Sequence, residues 1–153
     1  MKKLILAIAI AVILLATMSG VASAADITKS TGGGWFYDGL GNRVTFGFNA
    51  HIDEVLKAEG EFQLVAHGAP GIDDDMVVHG SFTSGSVIVP DVLEYYQGTC
   101  SVNGVEGYEI AVYVGDGDNA VLSSEDWIVV LVTGDFEWYF WWNYLKGGNI
   151  KIH

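Results

Sequence analysis

Apolar and polar side chains alternate along several stretches of this chain, and this alternation limits the possible folds more than any other feature. In residues 43–52 the apolar side chains fall on every second position, which makes one face of an extended strand apolar. Residues 61–67 and 108–114 repeat the pattern. After the first 24 residues no window shows a convincing helical period, so the chain is predicted to consist of strands.

Turn residues separate these stretches, and the sharpest signal is Asn103-Gly104, which suits a type I′ hairpin because both residues tolerate positive φ. The predicted strands cover 43–52, 61–67, 77–83, 86–89, 93–102, 108–114, 127–133, 136–142 and 149–152. Their number and spacing predict an all-β fold, a single small antiparallel β-sandwich or barrel of about 8–9 strands, preceded by a signal peptide helix.

The N-terminus has the three parts of a secretory signal. Lys2 and Lys3 precede an uninterrupted apolar run, and Ala22-Ser23-Ala24 forms a small-residue cleavage site. We therefore expect a secretory signal peptide at 1–24, a single all-β extracellular domain at 25–153, and a secreted or cell-surface location. The alternative is an uncut segment that anchors the protein in the membrane.

The excess of acidic over basic residues limits which classes of partner the protein can bind. Without Lys2 and Lys3 the chain has 5 basic and 19 acidic residues, a formal charge of −14. Such a surface repels phosphate groups, so we expect no nucleic acid partner and no membrane partner once the signal is cleaved. The single cysteine, Cys100, cannot form an internal disulfide, and its surroundings predict a buried thiol rather than an intermolecular bridge.

Five short motifs occur in one order along the chain: Thr31–Trp35, Thr45–Ala50, Val78–Gly80, Gly98–Gly107 leading to Tyr108, and Gly147–His153. Together they resemble the small β domains, often called post-COAP domains, found near the C-termini of exported and cell-surface proteins of bacteria and archaea. The resemblance covers residues 31–153. It implies an extracellular β domain and brings no catalytic motif with it.

An aromatic run from Phe136 to Tyr144 is the most unusual feature of the sequence. Alternation gives this strand rings on both faces, which suits contact with sugars or proteins. The alternative is a central strand buried on both sides. We predict a binding surface here, with Tyr139 and Trp141 facing outward, and the candidate residues are Trp138, Tyr139, Trp141 and Trp142.

Carboxylates cluster in two predicted loops. Asp73, Asp74 and Asp75 form one cluster, and Asp116 and Asp118 belong to the other. Calcium prefers oxygen ligands, so these five residues are candidate calcium ligands, although neither loop has the full alternating calcium-binding pattern. The alternative for both loops is an ordinary role in turns and solvated surface. No other cofactor is expected.

Three histidines, His51, His67 and His79, fall on the polar faces of predicted strands and could form a zinc site if those strands were adjacent. Two facing carboxylates could hydrolyse a glycoside. No Gly-x-Ser-x-Gly motif is present.

The sequence therefore predicts a non-catalytic exported domain that associates with itself, the envelope or a protein at the cell surface. A carbohydrate-binding module with exposed Trp and Tyr is the alternative, followed by a small metal-dependent or carboxylate hydrolase.

Overall fold

The computed structural model describes residues 28–53, 55–68, 75–119, 124–135 and 137–153. The predicted signal peptide, residues 1–24, lies outside the described residues. The strands are β1 (Thr28–Tyr37), β2 (Arg43–Ile52), β3 (Lys57–Ala66), β4 (Met76–Val89), β5 (Leu93–Val102), β6 (Val105–Gly115), β7 (Trp127–Thr133), β8 (Trp138–Tyr144) and β9 (Gly147–Ile152). A single 3₁₀ turn, Gly117–Asn119, follows β6. Across the described ranges, no helix is long and apolar enough to cross a membrane.

The strands form one antiparallel sheet in the order β8-β7-β6-β5-β4-β3-β2-β1-β9. From β1 to β8 each strand pairs with the next along the chain, as short connections favour. The all-β, antiparallel prediction is confirmed. Of the two predicted architectures, the structure has a curled single sheet related to a barrel rather than two packed sheets.

The two edge strands, β8 and β9, are separated by only two residues, and this short connection requires the sheet to curl. Leu145 N–H donates to Asp126 O at 2.9 Å, which extends the pairing with β7. Lys146 N–H donates to Trp35 O at 2.9 Å, which extends the pairing with β1. The chain thus passes directly from one edge strand of the sheet to the other, and the two edges come together at residues 145 and 146.

The inner face of the curl holds the hydrophobic core. Along β2 the alternating positions 44, 46, 48, 50 and 52 are all buried, as the sequence predicted. β3, β6 and β7 contribute in the same way through positions such as Leu64, Val112 and Val130, each fully buried. Cys100 is a buried free thiol, as expected. Burial raises its pKa to about 11, because an apolar environment disfavours the thiolate.

Strand β1 was not predicted, because its Gly32-Gly33-Gly34 run is unfavourable in a strand. Tertiary contacts explain the glycines. A Cβ on Gly32 would lie 2.4 Å from the Phe48 ring, and a Cβ on Gly34 would lie 2.3 Å from the carbonyl oxygen of Gly147. Glycine at these two positions therefore allows β1 to lie between β2 and β9, where a side chain would collide with its neighbours.

One predicted turn is confirmed, and one predicted break between two strands is wrong. Asn103 and Gly104 have φ values of 50° and 79°, so the predicted hairpin turn is confirmed. The two strands predicted at 77–83 and 86–89 are instead one strand, β4, with a register shift against β5 between Phe82 and Ser84. The bulge places an extra residue in the strand and interrupts the alternation that sequence reading depends on.

Candidate binding surface on strands β7 and β8

The hairpin between β7 and β8 decides which aromatic rings face outward. Gly134 N–H donates to Glu137 O at 2.8 Å, and the register continues with Val130 opposite Trp141. Because Val130 belongs to the buried face, its partner Trp141 faces the core as well, with 7% of its surface exposed. The even-numbered residues of β8 consequently face outward.

Four large aromatic side chains stand on this outer side of β8. Trp138 is 56% exposed, Phe140 45%, Trp142 57% and Tyr144 38%. Rings of this size normally lose most of their surface to a protein core. A strand with four aromatic side chains that are each about half exposed is therefore exceptional for an isolated domain.

Neighbouring strands extend the apolar surface. Trp142 lies opposite Val129, and Phe140 lies opposite Leu131, which is 36% exposed. One strand further, Tyr113 lies opposite Val129. We call this continuous surface the aromatic face, and its members are Tyr113, Trp127, Val129, Leu131, Trp138, Phe140, Trp142 and Tyr144.

The expectation that Tyr139 and Trp141 face outward is wrong. Trp141 is buried, and Tyr139 is half-buried and stacks on Trp141 with ring centroids 6.0 Å apart. Tyr139 O–H donates to the Glu137 carboxylate at 2.7 Å. That hydrogen bond, with burial, raises the pKa of Tyr139 to about 12. Of the four candidate binding residues, only Trp138 and Trp142 lie on the aromatic face, and Phe140 and Tyr144 join them.

Charge is confined to the two ends of β8. The strand itself carries none, Asp135 and Glu137 precede it, and Lys146 follows it. At the acidic end, the Glu137 carboxylate also accepts the Tyr108 O–H at 3.2 Å. The aromatic face is thus an uncharged strip with an acidic end and a basic end.

A buried polar cluster lies inside the sheet, away from this surface. Thr28 and Tyr96 both donate their hydroxyl groups to the Glu94 carboxylate, and the Ser30 hydroxyl lies 2.6 Å from that of Tyr96. Burial, and then the Glu94 charge, raise the pKa of Tyr96. The Glu94 carboxylate therefore links β5 to β1 across the interior. It is closed to solvent, since Glu94 is 0% exposed.

Asp116 of the second candidate calcium cluster and the nearby Asp126 cap the edge of the sheet. Asp126 accepts the N–H groups of Gly117 at 2.7 Å and of Ile150 at 2.6 Å, one with each carboxylate oxygen. The buried Asp116 accepts the N–H of Ile152 at 3.3 Å. Asp126 Oδ2 and Asp116 Oδ2 thus satisfy backbone donors on the β9 edge of the sheet, while Asp126 Oδ1 holds the 3₁₀ turn.

Lys151 completes this cap, because its ammonium group lies 3.6 Å from Asp116 Oδ1 and contacts Asp118 Oδ2. Asp116 and Asp118 are therefore brought together, as the calcium hypothesis requires, but a cation of the chain already lies between them.

The remaining metal candidates that the structure describes are Asp75 and the three histidines. Asp73 and Asp74 lie outside the described residues, and Asp75 Oδ2 lies 2.8 Å from His67 Nδ1. His51 faces Glu59 across β2 and β3, and His79 lies opposite Gln63. The register therefore places the three imidazoles at separate levels of the sheet. Within the described part of the chain, no three His, Cys, Asp or Glu residues are placed to hold a metal ion.

A shallow depression of about 510 Å³ lies over β2–β5. Its outward-facing polar lining includes Asn49, Gln63, His79, Ser81 and Thr99. It is separate from the aromatic face.

No family model, curated protein or solved structure matches this chain.

Proposed function

We propose that this protein is a non-catalytic exported domain that associates with another macromolecular surface outside the cytoplasm through its aromatic face. The single observation that carries the proposal is the set of half-exposed rings on β8, Trp138, Phe140, Trp142 and Tyr144. Export is supported by the signal-like composition of residues 1–24.

The size of the aromatic face supports an association role. Large aromatic side chains contribute roughly 150–250 Å² each, so four that are about half exposed leave about 300–500 Å² of ring surface in water. Leu131 adds to this area. Patches of about this size are often functional on proteins that are otherwise monomeric.

The surroundings of the rings favour a protein surface over a sugar. Leu131 and Val129 lie directly opposite Phe140 and Trp142, so the centre of the patch offers few hydrogen-bonding groups. Sugars need polar groups that fix their hydroxyls as well as rings to stack on. Glycan binding is therefore the second outcome of the test rather than the first.

The test is the double substitution Trp138→Ser with Trp142→Ser. The control is Val55→Ser, since Val55 is an apolar residue with 80% of its surface exposed in the turn between β2 and β3. Each exported protein is measured for self-association by sedimentation velocity and for co-sedimentation with washed cell envelopes. We expect the double variant to lose association at least tenfold with unchanged unfolding, and the control to behave as the wild type.

Equal association of the wild type and the double variant would reject the proposal. Tryptophan fluorescence quenched by a glycan, but unaffected by envelopes or protein concentration, would replace it with a carbohydrate-binding role.

A further inference from the structure

The backbone N–H and C=O groups of β8 point alternately toward β7 and toward the free edge of the sheet. Gly134 N–H to Glu137 O and Leu145 N–H to Asp126 O are ladder hydrogen bonds at the two ends of the β7–β8 pair. Hydrogen-bonded and non-bonded pairs alternate along an antiparallel ladder. The N–H and C=O groups of Trp138, Phe140 and Trp142 therefore point away from β7, toward the free edge of the sheet.

Within the described ranges, no strand pairs with β8 on that side. Its C-terminal end is covered, where Asn143 donates its side-chain amide to Tyr37 O at 2.7 Å and accepts Tyr144 N–H at 2.8 Å. Among the described residues, the three alternate edge positions 138, 140 and 142 have no neighbouring strand.

The two edges of the sheet are treated in opposite ways. At β9 the outward N–H groups of Ile150 and Ile152 are covered by Asp126 and Asp116, and Lys151 adds a charge. Charged residues, prolines and coverings of this kind block pairing with another chain. β8 carries no charge, proline or glycine between Trp138 and Tyr144. The chain thus protects one edge and leaves the other suited to receive a strand.

We propose that the free edge of β8 pairs antiparallel with β8 of a second copy of this chain, around a twofold axis at Phe140. This inference rests on the proposed function and names its partner. In this register Trp138 of each copy lies opposite Trp142 of the other, and all three open edge positions are used. Residues directly opposite project to the same side, so the two aromatic faces join into one.

Charge selects both the partner and the direction. Antiparallel pairing brings the acidic end of one copy, at Asp135 and Glu137, beside Lys146 of the other. Parallel pairing would place acidic ends together. Because the rest of the chain is strongly acidic, this uncharged strip with one basic end is where two copies can approach with least repulsion.

The first test separates backbone pairing from ring contact. Phe140→Pro removes an N–H that the ladder with β7 does not use, and edge strands accept proline at such positions. Phe140→Ser removes the same ring and keeps the N–H. By sedimentation equilibrium of the exported protein, we expect Phe140→Pro to raise the dimer dissociation constant at least tenfold above that of Phe140→Ser, with cooperative unfolding retained in both.

The second test exchanges charges and does not touch the strand. Lys146→Glu and Asp135→Lys each place like charges together in a homodimer, so each is expected to weaken self-association at least threefold. An equimolar mixture of the two variants restores opposite charges at both ends and is expected to associate as tightly as the wild type. This rescue does not depend on the stability of β8.

A mixture that associates no better than either variant alone, or a wild type that stays monomeric up to about 100 μM, overturns the second-copy proposal. If a monomeric wild type still binds envelopes or a glycan through Trp138 and Trp142, the proposed function stands and only the partner is wrong. If replacing Trp138 and Trp142 weakens no association of any kind, both the second-copy proposal and the proposed function are wrong.

Discussion

The carboxylate of Asp126 gives the sharpest stability prediction, because both of its oxygens accept backbone N–H groups, from Gly117 and Ile150. In Asp126→Asn, one oxygen becomes an NH₂ group that faces an N–H donor, so only one of the two hydrogen bonds can form. A hydrogen bond to a charged group contributes about 1.5–3 kcal/mol, and an unsatisfied buried donor costs a similar amount.

We therefore expect Asp126→Asn to lower the free energy of unfolding by about 3 kcal/mol, a large share of the roughly 5–15 kcal/mol typical of a domain. At a urea dependence of about 1–3 kcal/mol per molar, the midpoint falls by about 1–3 M. The matched control is Asp118→Asn. Asp118 is 69% exposed and pairs only with the partly exposed Lys151, so its loss costs about 0–1 kcal/mol.

Urea unfolding followed by tryptophan fluorescence checks this difference. Equal midpoints for the two variants would show that the Asp126 carboxylate does not stabilise the fold through the β9 edge.

Three further predictions follow from burial and charge. Trp141→Ala should destabilise by about 3–5 kcal/mol, whereas Trp142→Ala should change stability by under about 1 kcal/mol, since only the first opens a core cavity; thermal unfolding compares them, and similar losses would contradict the assigned faces. The pKa of the Cys100 thiol is raised from 9.0 to about 11, so its contribution to stability is complete below pH 9 and is lost as pH rises toward 11. Alkylation of the native protein should be slow at pH 8 and fast only after unfolding, and rapid native labelling would refute a buried thiol. Calcium should raise the melting temperature no more than magnesium does, because the Lys151 ammonium group already lies between Asp116 and Asp118; a calcium-specific rise that Asp116→Asn abolishes would restore the calcium hypothesis there.

The strand pattern was predictable wherever apolar and polar residues alternate cleanly. β2, β5 and β7 begin and end at the predicted residues, since turn residues flank them and, apart from Glu94 in β5, their inward positions carry no charge. β1 was not found because the reason for its glycines lies in the Phe48 ring and the Gly147 carbonyl, which approach only in the fold.

The aromatic strand was predicted, but the wrong one of its two faces was expected to point outward. Both faces of residues 138–144 are aromatic, so alternation alone cannot identify the inward side. The hairpin at Gly134 and Glu137 fixes the register, and that geometry is not encoded in polarity. The Glu94 cluster was also missed. Its position on the same face as Tyr96 and Cys100 was a usable signal, but Ser30 lies 66 residues away in sequence from Tyr96.

The central claim is that the outer rings of β8 form the contact surface, and residue-resolved oxidation of tryptophan tests it most directly. The protein is oxidised briefly, free and in its associated state, and each tryptophan is quantified by mass spectrometry. We predict that Trp138 and Trp142 are modified in the free protein and protected on association, while Trp141 is unmodified in both states. Modification of Trp141 in the free protein, or equal modification of Trp138 and Trp142 in both states, would contradict the claim.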